Sequence, residues 1–196
     1  LVGGQLSDRQ PKGTLAIPSL PSRPRGMRLD DERPREKFPG LAHGAEPARR
    51  GQVLHHFANH ELLAIELMAL ALLKFQNSAP ESFLRGLLST LADEQKHCRL
   101  YLNRLKQLGV QPGELPLSRF FWDCLAPVEK PEEYLAGMAL TLEQANLDFT
   151  LFFQKRFAEV NDQTSVKILN TVYEDEIRHV AFGVDWLNQW KKPKSF

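Results

Sequence analysis

Residues 93–97 read Asp93-Glu94-Gln95-Lys96-His97, and residues 175–179 read Asp175-Glu176-Ile177-Arg178-His179. Both stretches carry an acid, a glutamate and a histidine at one spacing, and they lie 82 residues apart. At the same offset Glu61 falls on Glu143, and the run from Glu61 to Phe75 aligns without gaps on the run from Glu143 to Phe157. The chain therefore holds an internal repeat, each half reading Glu, then Glu-x-x-His 33 residues later. With 15 Glu and 6 His in 196 residues, random placement supplies roughly half of one Glu-x-x-His. Two occur, each with a glutamate at the same distance upstream.

Around these motifs apolar residues recur at helical spacing. The first helix is expected from about Gln52 to Phe75, stopped by Asn77-Ser78-Ala79-Pro80. A second runs from Pro80 to Leu108, with Gly109 as its C-terminal cap. A third spans Pro131 to about Val160, and a fourth runs from Asp162, its N-cap, to Trp190. The Gly109–Lys130 link contains Pro112, Gly113, Pro116 and Pro127 and reads as a long connection whose Phe120-Phe121-Trp122 patch packs on the bundle. The predicted fold is all-α: a four-helix bundle of two hairpins with one long crossover. Residues 51–191 form the bundle, 1–50 an arm and 192–196 a tail.

Turns near residues 78 and 161 place Glu61 level with Glu94, and Glu143 level with Glu176, at 1.5 Å of rise per residue. Residues three apart share a helix face, so Glu94 with His97 and Glu176 with His179 each address one centre. Six candidate metal ligands converge: Glu61, Glu94, His97, Glu143, Glu176 and His179. Four carboxylates balance two divalent cations, and without metal such a buried cluster is costly. Oxygen-rich ligation with one imidazole per metal suits iron, or manganese, rather than structural zinc. Solvated helix-face charges are the bland alternative, but Glu61 shares its face with Phe57, Ala64, Ile65 and Met68.

Composition excludes several classes. The net charge of +1 gives no overall field toward nucleic acid or an anionic membrane. The apolar run Leu62–Phe75 is broken by Glu66 and Lys74 and is shorter than the roughly 20 residues of a bilayer span, so no membrane segment is expected. Two cysteines, Cys98 and Cys124, build neither a disulfide framework nor a four-cysteine knuckle. With no basic segment leading into an apolar run at the start, a reducing cytoplasm is the expected location; a first residue of Leu leaves an upstream piece open. The arm holds seven of the thirteen prolines and a net charge of +4, and reads as a solvated or bundle-wrapping extension. It is the one feature that points to nucleic acid.

On these residues the chain resembles the ferritin-like superfamily of di-iron carboxylate bundles, whose signature is a Glu on helices one and three and a Glu-x-x-His on helices two and four. The resemblance covers about residues 52–190. Asp175-Glu176-x-Arg178-His179 is similar to the acid-Glu-x-Arg-His form of di-iron oxygenases and related oxidases. It implies that Asp93 orients His97, that Asp175 orients His179 and that Arg178 reaches Asp93, while Lys96 stands at the equivalent arginine position in the first half. His60-Glu61 and the Pro-rich lead-in resemble a bacterial ferritin-like family of unknown function. Tyr101 has the spacing of the radical tyrosine in ribonucleotide reductase small subunits, beside the commoner role of a core or pocket tyrosine. His55, His56 and His60 are read as surface or supporting residues, and Cys98 as a packed thiol.

Two metal ions, iron or manganese, are thus the expected cofactors. The leading expectation is a di-iron oxidoreductase, an oxidase or hydroxylase that activates oxygen against a small organic substrate. Iron or peroxide handling of the ferritin and rubrerythrin type is the alternative, although the chain lacks a cysteine knuckle. A non-enzymatic, metal-stabilised bundle is the third reading. A homodimer stays open.

Overall fold

The computed structural model describes residues 16, 18–24, 26–29 and 47–191. The tail at 192–196 and most of the expected arm lie outside the described residues. Among the described residues all regular structure is helical: α1 (Pro47–Phe75), α2 (Glu81–Gln107), α3 (Phe120–Leu125), α4 (Pro131–Gly137), α5 (Gln144–Glu159) and α6 (Gln163–Lys191). A π-helical turn, Met138–Glu143, joins α4 to α5.

The helices follow from the apolar stripe of each segment. Along α1 the buried stripe Leu54, Phe57, Glu61, Ala64, Met68, Ala71 and Phe75 alternates steps of three and four. Along α2 the stripe is Phe83, Leu87, Leu91, Glu94, His97, Cys98, Tyr101 and Leu105. In both, glutamate or histidine occupies positions the pattern reserves for the core. The ends were legible. Gly109 takes φ +76° just beyond α2, and the Val110 N–H donates to the Leu105 carbonyl at 3.1 Å. Asp162 caps α6, accepting from the Ser165 backbone N–H at 3.0 Å. Pro80 lies just outside α2 rather than in its first turn, and α1 starts at Pro47, inside the expected arm.

The short α1–α2 and α5–α6 connections make two antiparallel hairpins, and α2 also packs on α6. Residues 93 and 97 of α2 meet residues 179 and 175 of α6, so these two helices are antiparallel as well. The α4–α5 stretch then runs parallel to α2, and the 108–130 link carries the chain back along the bundle. Two apolar cores result. One joins Leu67, Ala71 and Phe75 of α1 to Phe83 and Leu87 of α2; the other joins Leu54 and Phe57 to Tyr101, Leu105, Phe157 and Leu169. They occupy opposite ends of the hairpin, with the motif residues between them. Each buried Leu or Phe contributes about 1.5–3 kcal/mol.

Trp122 in α3 is buried at 4% exposure and its indole N–H donates to the Ser19 carbonyl at 3.0 Å, whereas Phe120 stays 61% exposed, so the aromatic patch packs only in part. The described arm residues lie against the bundle. Arg23 is buried, pairs with both oxygens of Glu66 at 2.7 and 2.6 Å and donates to Asn59 at 3.1 Å. Helix α1 is long and apolar enough to cross a membrane, contrary to the reading of its apolar run as too short, but 56% of that window is buried inside the bundle.

Candidate metal centre

The repeat brings its residues to one level of the bundle. Glu61 comes from α1, Glu94 and His97 from α2, Glu143 from the end of the π turn, and Glu176 and His179 from α6. All six are buried, none more than 7% exposed. Their ligand atoms fall into two groups within 4.8 Å: Glu61, Glu94, His97 and Glu176 form one, and Glu94, Glu143, Glu176 and His179 the other. Glu94 and Glu176 are common to both. The arrangement offers two adjacent centres, each with one imidazole and one carboxylate of its own and two shared carboxylates.

The histidines turn Nδ1 inward. His97 Nδ1 lies 3.5 Å from Glu94 and 3.8 Å from Glu61. His179 Nδ1 lies 3.1 Å from Glu94 and 3.5 Å from Glu176. Both oxygens of Glu94, one oxygen of Glu176 and the Nδ1 atoms of both histidines have no hydrogen bond despite full burial. Buried polar atoms seldom go unpaired. Here five of them converge on two points, and hard carboxylate oxygens with imidazole nitrogens are a donor set for divalent cations. These residues could hold metal.

Electrostatics point the same way. Burial, reinforced by Glu94, pushes the Glu61 carboxyl well above its usual range, and burial with Glu176 does so for Glu143. Burial also raises Glu176, which the neighbouring His179 imidazole only partly offsets. Burial opposes the charge on His97, yet the nearby Glu61 and Glu94 carboxylates lift it to about 11; Glu176 and Glu94 lift His179 equally. The protein alone does not sustain four buried carboxylates without added positive charge, and protons take that place.

Behind the imidazoles the pairing differs from the one the resemblance implied. His97 Nε2 meets Asp175 at 2.8 Å, and His179 Nε2 meets Asp93 at 3.4 Å, so each histidine is held by the aspartate of the other helix. The reason is the imidazole's length: Nε2 is the distal nitrogen and projects to the facing helix, while Nδ1 stays beside its own backbone. Lys96 contacts Asp175 and lies 3.2 Å from Asp93. Arg178 likewise contacts Asp175 and reaches Asp93 at 3.6 Å. The lysine thus serves where the resemblance implied an arginine. Hydrogen bonds from Lys96, His97 and Arg178 overcome burial and hold Asp175 down at about 2.

Tyr101 is fully buried, its hydroxyl unpaired and its ring 5.8 Å from Phe57. Cys98 is a packed thiol whose nearest partner is the Ala58 carbonyl at 3.9 Å. His55 is buried and accepts from the Gly113 N–H at 3.0 Å, so it is no surface residue. The sequence reading missed Asn146, whose amide donates to Glu176 at 2.7 Å. It stands three residues after Glu143 on one helical face, which was the available signal. The repeat concealed it, because its counterpart in the first half is Ala64.

A protein-family model described as "Protein of unknown function (DUF455)" matches residues 3–196. An uncharacterized protein of Haemophilus influenzae is 30% identical over 148 residues, covering 72% of this chain. The chain spans 51% of that relative's length. No solved structure matches.

Proposed function

The chain belongs to that family of unknown function (DUF455), and from this premise we propose that it is a ferritin-like bundle holding two metal ions, iron in the first instance, which activates oxygen to oxidise or hydroxylate an organic substrate. The observation that carries the reading is the set of five unpartnered, buried donor atoms directed at two points that share Glu94 and Glu176. Glu61 and His97 would complete one centre, Glu143 and His179 the other. Manganese satisfies the same donors.

When bound, such a pair supplies two electrons to one oxygen molecule and the positive charge that stabilises its reduction. The protein's own residues do the rest. Asp175 and Asp93 accept from the Nε2–H of the two histidines and so keep the Nδ1 lone pairs inward. Asn146 fixes one oxygen of Glu176 and leaves the other free. The two apolar cores close the cluster off above and below and leave the chamber beside the carboxylates as its approach. An apolar chamber of about 230 Å³ beside Glu61 and Glu143 favours an organic substrate over iron or peroxide handling, which needs no such space.

The test is elemental analysis followed by stopped-flow mixing of the reduced, iron-loaded protein with oxygen. Two irons per chain and oxidation on mixing are expected, with the reaction abolished in Glu143→Ala. Two irons without oxidation, or a Glu143→Ala variant as fast as wild type, would replace the oxidase reading by a structural-metal role.

A further inference from the structure

Two adjoining hollows lie on the carboxylate side of the cluster. The inner chamber, about 230 Å³, has Glu61, Glu94, Glu143 and Glu176 in its wall but neither histidine. The π turn supplies Met138, Thr141 and Leu142 of that wall besides Glu143. An outer hollow of about 320 Å³ shares His60, Phe120, Phe121 and Phe149 with it. The two lie side by side against these rings, and together we take them as one passage leading toward the cluster.

Its chemistry is narrow. Among the described residues no Lys or Arg lines either hollow, so a phosphate or carboxylate entering it finds no counter-charge. Without metal, the four carboxylates at the inner end repel an anion further; once two divalent cations offset them, neither a cationic nor an anionic guest finds a net charge there to offset its lost hydration. Flat rings dominate the shared wall: Phe120, Phe121 and Phe149, with the His60 imidazole tilted against Phe121 at a centroid distance of 4.4 Å. Ring faces of this kind pack best on another ring. The polar uncharged side chains along the way are His60, Thr141 and Asn146 in the inner chamber and His56 and Ser118 in the outer hollow, enough to orient a hydroxyl or N–H group. An apolar cavity of roughly 150 Å³ accepts benzene, so the inner chamber admits a guest somewhat larger.

We propose that this passage binds a neutral aromatic molecule of one or two rings, seated between Phe120, Phe121 and Phe149 with its leading edge against the carboxylate cluster, and that this is the substrate class of the site. The substrate class rests on the two-metal reading, whereas the binding itself does not.

Indole, benzoate and tryptamine serve as neutral, anionic and cationic probes in isothermal titration of the full chain, with and without manganese, and metal content is measured on the same samples. Indole should bind with a Kd below about 1 mM and at least tenfold tighter than either charged probe to the manganese-loaded protein. Ala145→Phe, which places a ring on the chamber wall, should weaken indole at least tenfold with metal content unchanged. Phe120→Ala, on the exposed lip, should weaken it severalfold and guards against misfolding of the first variant. Equal binding of benzoate, or indole binding indifferent to both variants, overturns the inference. Two metals with no indole binding overturns the passage and leaves the metal reading standing. Indole binding that both variants weaken, in a chain that retains no metal, supports the passage and overturns the metal reading.

Discussion

Removal of the Asp175 carboxylate should weaken one metal centre and spare the other. Asp175 accepts from His97 Nε2 at 2.8 Å and its side chain is 7% exposed. Asp93 stands 3.4 Å from His179 Nε2 and is 28% exposed. Carboxylates that orient a ligating imidazole are worth a factor of 10–100 in metal affinity, or about 1.4–2.7 kcal/mol. The short, dry Asp175 contact belongs at the upper end of that range and the longer, wetter Asp93 contact at the lower. Asp175→Ala should therefore lower affinity at the Glu61–His97 centre by about fiftyfold and change the Glu143–His179 centre little. Competition of manganese against a chromophoric chelator gives the two constants, and circular dichroism checks the fold. A double-mutant cycle identifies the centre: Asp175→Ala should be strongly non-additive with Glu61→Ala and nearly additive with Glu143→Ala. If the coupling falls on Glu143 instead, each aspartate serves its own helix and the crossed pairing is wrong. Unchanged affinity in Asp175→Ala would remove its orienting role altogether.

Three further outcomes follow from packing and charge. Arg23→Ala strands Glu66 beneath the arm and should cost about 3–5 kcal/mol, read as a fall in denaturation midpoint; a loss below about 1 kcal/mol would mean the arm does not hold to α1. At Asp162 burial favours the neutral acid, but bonds from Ser165 and Arg104 prevail and depress its pKa. Its contribution is thus complete above the unfolded value of about 4 and is lost as pH falls through the lower folded value. Asp162→Ala should cost about 1–2 kcal/mol at pH 7 as a lost helix cap, and urea titrations should show that difference narrowing below pH 4; a gap that widens in acid would contradict the sign. A Cβ at Gly183 would lie 2.3 Å from the Ala139 Cβ, an atom that cannot rotate away. Gly183→Ala gains about 1 kcal/mol of helix propensity against an overpacking cost of about 1–3 kcal/mol, so calorimetry should show a lower melting temperature, and a rise would mean α6 lies further from the π turn.

The pattern of the sequence exposed the helices and the level of the site because both depend on spacing along one helix. Stripes of three and four residues placed Glu61, Glu94, His97, Glu176 and His179 at core positions, and two equal hairpins brought them level. Relations between helices were less accessible. Nothing in Asp93-Glu94-x-x-His97 says whether the distal imidazole nitrogen meets its own helix or the next, and the answer depends on the distance between α2 and α6. The resemblance supplied the wrong partner for the same reason: the motif is written along one helix, while the hydrogen bond crosses between two.

The π turn marks the other limit. From Pro131 to Val160 the residues read as one helix, and the chain is indeed helical throughout, but the turn at Met138–Glu143 inserts an extra residue per turn that no apolar stripe records. The turn is closely packed: Gly183 brings α6 into contact with Ala139, and Gly137 lies so near Leu125 that a Cβ there would meet it at 2.6 Å. Met138, Thr141 and Leu142 of the turn line the chamber beside Glu143. The repeat thus specifies the same glutamate twice, yet the halves present it differently: Glu61 from a regular helix over Ala64, Glu143 from a π turn beside Asn146. Both halves reach the chamber wall, the first through His60, Glu61, Ala64 and Glu94 of regular helices, the second through the π turn with Asn146 and Glu176.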